Sequence, residues 1–588
     1  MTTFHFLNQQ IIYPHITNLC DQISKFKHEL HLDGLLAFPE DEQFLPGTIS
    51  SSFSYLLTSL DRTSKDFNLW SYKTSEIIKH NATLSMSTFG ILEFLSALYE
   101  LHKNSLLDSI VNNETLHILK QKLDWHVFVD DTTWTLKNGL PTNYFGVAFR
   151  IALLREQLGW DTEEISAKFL GLLINHITTH SGKYLYMDET NGEGRYDKYT
   201  VSIAAELCEL LVEFNKPIPD TLRQIMQQCC DILIQLLDPH GNGFCYGRSI
   251  GSHGEAVIIE TLPVAARMGI FSEEDLPFIY TATYHSAHKI ATFWLNKSHG
   301  GFNIWDDGRR TDHYRGKSRV LEVNLDMSLK MIRAENHLKA LGLNQLDILS
   351  AKDYATKLTT LPTFKYFCFE KESYERGLLV VRTPKHIFSL PLINGGHKHY
   401  AHIPYLPLPF CIGMIEGTPE EVRPMLVPKL TLQDGTEVMP IAYMKDIVID
   451  EVNHTISFKQ DVLCNLKDDI YPEVFEGISC HTLFTFRENE ITREDYFNLN
   501  PTLNAVKVEL ELDTFSCLDT KDTDCVSLNQ GAITHFSLTG LELSEINEVV
   551  SNYDYDTPHG AHQLNIKCEG IPEQNTFTTS WTICYNSL

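Results

Sequence analysis

GRRTDHYRGKSR, residues 308–319, crowds five Lys/Arg and a histidine into twelve residues of a chain whose formal net charge is −28. Like charges packed this closely call for an anion. The preceding GGFNIWDD contributes Trp305. Together Trp305, Arg310, His313, Tyr314, Arg315 and Arg319 offer an aromatic surface for a sugar ring and guanidinium forks for a carboxylate. The competing reading is internal pairing with Asp306, Asp307, Asp312 and Glu322, which would neutralise most of the charge.

Three further stretches hold groups that can move protons or bind ligands. In DETNGEGRYDKYT, residues 188–200, Tyr196 and Tyr199 lie three apart at the predicted start of a helix, where they can share one face. Arg195, four residues before Tyr199, favours a phenolate there. The blander reading packs both rings at the helix start, with Glu193 and Asp197 favoured by the helix dipole. In GNGFCYGRSIGSHGE, residues 241–255, the glycines predict a loop that turns Tyr246, Arg248 and His253 toward a polar ligand, or else an ordinary hairpin loop. In NGGHKHYAHIPYLP, residues 394–407, His397 and His399 fall on one side of an extended segment, with His402 close behind. Such a cluster suits proton transfer or zinc.

The elements that must position these groups change period along the chain. From about residue 10 to 343 the apolar spacing is helical. Residues 143–160 place Phe145, Ala148, Phe149, Ala152, Leu153 and Leu158 on one stripe, and 198–213 behave alike. Further helices are predicted at 89–103, 161–180, 220–237, 255–268, 274–294 and 319–343, which suggests antiparallel helical hairpins in a bundle or toroid. Beyond about residue 360 the period becomes two, over 377–392, 456–466, 481–499, 506–513 and 577–585, as in an antiparallel sandwich. The expected organisation is multidomain α + β: a helical domain over 1–343, a connector over 344–362 and a β-sandwich over 363–588.

Composition narrows the function. With 76 acidic against 48 basic residues, nucleic acid and anionic membrane surfaces are repelled. No apolar run reaches membrane-spanning length, and the first residues lack the basic and apolar regions of a signal peptide. Thirteen scattered cysteines without a C-x-x-C pair read as reduced thiols, so the expected compartment is the cytoplasm. There is no phosphate loop, Rossmann fingerprint or G-x-S-x-G elbow.

A helical half, a sandwich half and these motifs in this order resemble the heparinase II/III-like polysaccharide lyases, whose broader group joins an incomplete (α/α) toroid to an antiparallel sandwich. GEGRYDKYT is similar to the E-G-x-x-Y segment that carries that family's catalytic tyrosine; Glu193 and Gly194 match, with Tyr196 one residue short of the expected spacing and Tyr199 two beyond it. GGHKHYAH is similar to its G-H-x-H-x-D segment, which implies a catalytic role for His397 and a metal role for His399 and His402. Ala401 stands where that family has its aspartate. The resemblance further implies that Asn143 neutralises a substrate carboxylate. No cofactor is implied as required; a structural zinc or calcium is the optional one.

The implied reaction is β-elimination on a uronic acid within an acidic oligosaccharide. Asn143 with Arg310, Arg315 or Arg319 clamps the carboxylate. His397 or His253 takes the C5 proton and Tyr196 or Tyr199 protonates the leaving oxygen, or one tyrosine does both. Two rivals stand beside it. A toroid hydrolase would use paired carboxylates from Asp188, Glu189, Glu193 and Asp197. A non-catalytic carbohydrate-binding protein would keep Tyr246, Trp305 and the arginines without turnover.

Overall fold

A computed structural model describes the chain except residues 1–2, 33, 40–41, 138–139, 141–143, 181–183, 185–195, 248–249, 297–300, 303–318, 372–373, 394–405, 417–424, 466–472, 550–555, 558–559, 573 and 587–588. Its main helices are α1 Tyr13–Phe26, α2 Leu45–Thr58, α3 Lys65–Asn81, α4 Thr88–Lys103, α5 Asn113–Lys122, α6 Tyr144–Gln157, α7 Glu163–His180, α8 Lys198–Glu213, α9 Asp220–Leu236, α10 Ser252–Arg267, α11 Leu276–Lys289, α12 Val320–Ala340 and α13 Ala351–Leu358. Side-chain caps fix several starts. Ser64 accepts from the Phe67 N–H at 3.0 Å, Asn112 from Thr115 at 2.8 Å and Asp197 from Tyr199 at 2.8 Å.

The helices form a toroid of hairpins. α2, α4, α6, α8, α10 and α12 touch in that order, and α12 returns against α2. The ring is therefore closed, where the resemblance implied an incomplete one. Odd-numbered helices α1 to α11 lie outside it, α7 against α6 and α11 against α10 among them. Residues at like depth pair across neighbouring inner helices, Arg150 with Glu206, Lys330 with Glu260 and Phe44 with Phe89, so the inner helices point the same way. Their N-termini meet at one mouth and their C-termini at the other.

Periodicity predicted most of these helices but none of α1, α2, α3 or α5. In α2, LPGTISSSFSYLLT, serines interrupt the apolar stripe. They are nonetheless buried: Ser50 and Ser52 donate back to the carbonyls of Pro46 and Thr48, each at 2.8 Å, whereas Ser51 and Ser54 have no hydrogen-bond partner among the described residues. The connector is not structureless: it holds α13, capped by Ser350 on Asp353 N–H at 3.1 Å.

The strands after it are β1 Phe364–Glu370, β2 Arg376–Arg382, β3 Ile387–Leu392, β4 Lys429–Leu432, β5 Glu437–Met439, β6 Lys445–Asp450, β7 Thr455–Gln460, β8 Leu463–Asn465, β9 Glu473–Phe475, β10 Ile478–Arg487, β11 Glu490–Leu499, β12 Ala505–Thr514, β13 Cys517–Lys521, β14 Cys525–Asn529, β15 Ile533–Thr539, β16 Glu542–Glu548, β17 Leu564–Gly570 and β18 Thr576–Tyr585. They build an eight-stranded sheet, β6-β7-β10-β11-β18-β15-β14-β13, and a seven-stranded one, β9-β8-β5-β4-β12-β17-β16, with β1-β2-β3 as a third. Pairing among these strands is antiparallel. Alternation buries Phe484, Phe486, Phe497 and Trp581 on one side. Arg493, fully buried, forks onto Asp495 at 2.7 and 3.0 Å and donates to the carbonyls of Pro407 and Leu426, pinning two loop segments to the sheet.

The third sheet docks on the toroid. Arg382 donates to the carbonyls of Gln235 and Leu237 at 2.7 and 2.9 Å, and the Phe369 ring packs 4.6 Å from that of Tyr196. The sandwich therefore meets the toroid where α9 ends and α8 begins, beside the N-terminal mouth.

Candidate functional site

Ring contacts trace part of the N-terminal mouth. The Arg319 guanidinium lies 5.4 Å from the Phe44 ring, Phe44 lies 5.6 Å from Phe89, and Phe89 lies 5.6 Å from Tyr144. These residues start α12, α2, α4 and α6 in turn. Arg319 is committed within this rim. It pairs with Glu322 at 2.8 Å and lies 3.6 Å from Glu42. Two carboxylates therefore already partner the guanidinium that the resemblance assigned to a substrate clamp.

Tyr196 and Tyr199 part company. Asp197 caps α8 with extended backbone, φ −138° and ψ −158°, so Tyr196 stands before the helix rather than on its first turn. The shared face predicted for the pair is not formed. Tyr196 is 1% exposed against Phe369, whereas Tyr199 is half-buried on the first turn with the Lys198 ammonium 3.7 Å over its ring. Asp197 is itself buried as the cap, which withdraws it from the carboxylates the hydrolase reading pooled.

Tyr246 was expected to face a ligand. It is instead 1% exposed, and its hydroxyl donates to the Tyr196 carbonyl at 3.1 Å. Burial, with Asp197 nearby, holds its phenol far above the usual range. The predicted loop over 241–255 ends early, because Ser252 to Glu255 are the first turn of α10. Gly251 at φ +73° redirects the chain into it. Gly243 and Gly254 then approach so closely that a Cβ on Gly243 would sit 1.9 Å from the Gly254 carbonyl oxygen. The glycines serve close packing, and His253 rides on a helix, 5% exposed.

The first turn is clamped from outside the ring. Buried Glu255 accepts from the Trp294 indole at 2.5 Å and pairs with Lys289 at 2.5 Å. Burial still pushes its carboxyl above the usual range, against the pull of those partners. His253 on α10 and Tyr199 on α8 thus stand on the first turns of adjacent inner helices, both at the N-terminal mouth.

Below them the lumen is charged. Lys330 on α12 reaches Glu260 on α10 at 2.9 Å and Asp326 at 3.2 Å. Arg150 on α6 binds Glu206 on α8 at 2.5 Å. Arg333 forks onto Glu93 at 2.6 and 3.2 Å, and His337 lies 3.2 Å from Glu209. Burial raises the Glu260 carboxyl despite Lys330. Burial also opposes ionisation of Asp326, but Lys330 and His253 outweigh it and hold that carboxyl below the usual range. Sequence reading passed over these groups, although Asp326, Lys330, Arg333 and His337 recur at steps of four, three and four along one helical face.

Asn143, Arg195, Arg248, Trp305, Arg310, His313, Tyr314, Arg315, His397, His399 and His402 lie outside the described residues, as do Asp188, Glu189 and Glu193. Among the described residues no group of three His, Cys, Asp or Glu side chains is arranged to hold a metal, and no helix is long and apolar enough to cross a membrane.

No protein-family model and no curated protein matches the chain in sequence. Solved structures do match it in shape. The chondroitin AC lyase of Streptomyces coelicolor A3, determined in complex with chondroitin sulphate, aligns with a TM-score of 0.51 at 8% identity, over 98% of this chain and 80% of that one. The fold is one that polysaccharide lyases have. A xanthan lyase of Paenibacillus gives 0.48 at 9% identity over 98% and 57% of the two chains, and a heparinase III gives 0.29 at 9% over 98% and 83%. At such identities the likeness is one of architecture, a toroid followed by a sandwich, as the resemblance implied.

Proposed function

We propose that this protein is a carbohydrate-active lyase that cleaves uronic-acid-containing oligosaccharides by β-elimination. One observation carries the reading: His253 and Tyr199 stand on neighbouring first turns at the mouth where six inner-helix N-termini converge, in a chain aligned over 98% of its length with a lyase fold. Each N-terminus carries roughly half a positive charge, so the mouth favours a carboxylate and the enolate-like charge that grows when the C5 proton leaves. His253 or Tyr199 takes that proton, and Tyr199 is placed to return one to the leaving oxygen. Elimination consumes no water and leaves a double bond at C4–C5 of the uronate. The thirteen free thiols suit a cytoplasmic enzyme working on imported oligosaccharides.

A second reading rests on the lumen. Glu260 is held protonated more readily than usual and Asp326 less readily, the split expected of an acid and a base in a hydrolase. Mass spectrometry of the digest separates the two. Elimination products sum to the mass of the substrate, one of them carrying the double bond, whereas hydrolysis products sum to one water more, a result that would replace our proposal with the Glu260–Asp326 reading.

A further inference from the structure

Outside the ring, α9 and the edge strand β1 enclose a groove of about 460 Å³, within the size range of small-ligand pockets. A helix flanking a sheet ordinarily turns an apolar stripe to it. Here α9 turns Gln228, Asp231 and Gln235, spaced three and four apart, toward β1 with Ile234 the one apolar side chain among them.

The two amides are held in one sense. Gln228 Nε2 donates to the Tyr184 carbonyl at 2.7 Å, and Gln235 Nε2, on a side chain 3% exposed, donates to the Pro362 carbonyl at 2.5 Å. Each amide is thereby anchored through nitrogen, which leaves its oxygen as an acceptor. Gln228 Oε1 and the Tyr366 hydroxyl are buried beneath the groove with no hydrogen-bond partner among the described residues, a state that costs each group free energy. Asp231 adds an acceptor steadied by Gln227 at 3.1 Å, and Lys365 supplies the facing cation. The Pro362 and Tyr366 rings give the groove an apolar wall.

Several fixed acceptors beside one ammonium and a ring-lined wall suit a ligand rich in hydroxyl donors with an apolar face. We propose that this groove is a second carbohydrate-binding site, distinct from the mouth, that takes a neutral pyranose unit of an oligosaccharide. Its acceptors bind the hydroxyls and its rings meet the C–H face of the sugar.

The test is calorimetric titration of the full chain with cellotetraose and, separately, with putrescine. Cellotetraose is expected to bind with a Kd on the order of 1 mM, weakened about tenfold by Asp231→Ala and again by Lys365→Ala, both exposed positions. The proposal is overturned if wild type shows no cellotetraose binding up to about 10 mM, if both variants bind as wild type does, or if putrescine occupies the groove instead. This titration is independent of turnover, so a failed elimination assay leaves it intact and a failed titration leaves the lyase reading intact.

Discussion

The hydroxyl of Tyr246 donates to the carbonyl of Tyr196 at 3.1 Å, with both side chains 1% exposed. This bond ties the chain leading into α10, which carries His253, to the residue that precedes the cap of α8, which carries Tyr199.

Tyr246→Phe removes the donor and leaves the Tyr196 carbonyl buried without it. The expected loss is about 1–3 kcal/mol of stability, read from denaturant unfolding. Turnover should fall as well, because the two first turns lose their common tie. Unchanged unfolding would show that the bond carries no weight.

Lys330→Met tests the lumen. Lys330 bridges Glu260 and Asp326, so its removal strands two carboxylates of which neither is more than 28% exposed. A stability loss of about 3 kcal/mol is expected, measured as a lowered unfolding midpoint. Lys330→Arg should recover part of it.

Glu209 gives the pH dependence. Burial opposes its charge, but His337, Arg333 and Arg150 overcome this and hold the carboxyl near about 2 against an ordinary 4.5. The folded-state value lies below the unfolded one. Its stability contribution is therefore full above about 4.5 and drains away as pH falls toward about 2. Glu209→Gln should lower the unfolding midpoint at pH 7 and flatten its decline across that window. Parallel wild-type and variant curves would contradict the assignment.

The change of period from helical to alternating was plain in the sequence, because α8 and α9 keep apolar stripes and β10, β11 and β18 alternate. The serine-rich α2 was not legible: Ser50 and Ser52 satisfy themselves on its own carbonyls, while Ser51 and Ser54 are buried with no hydrogen-bond partner among the described residues, so polarity gave no sign of their burial. The glycines of GSHGE read as a loop because propensity takes no account of Gly243 packing on Gly254. The separation of Tyr196 from Tyr199 turned on one residue: Asp197 as a cap starts the helix after Tyr196, and spacing alone could not place that start. The stripe of Asp326, Lys330, Arg333 and His337 was visible but ambiguous, since a charged stripe facing a lumen has the same period as one facing solvent.

The most direct test is ultraviolet absorbance over time with uronate-containing oligosaccharides, comparing wild type, Tyr199→Phe and His253→Ala. Wild type is expected to produce the conjugated unsaturated-uronate band, and each variant should slow it by about two orders of magnitude or more while remaining folded. A full-rate band from both variants would remove Tyr199 and His253 from the chemistry. No band from wild type on any uronate oligosaccharide would contradict β-elimination itself.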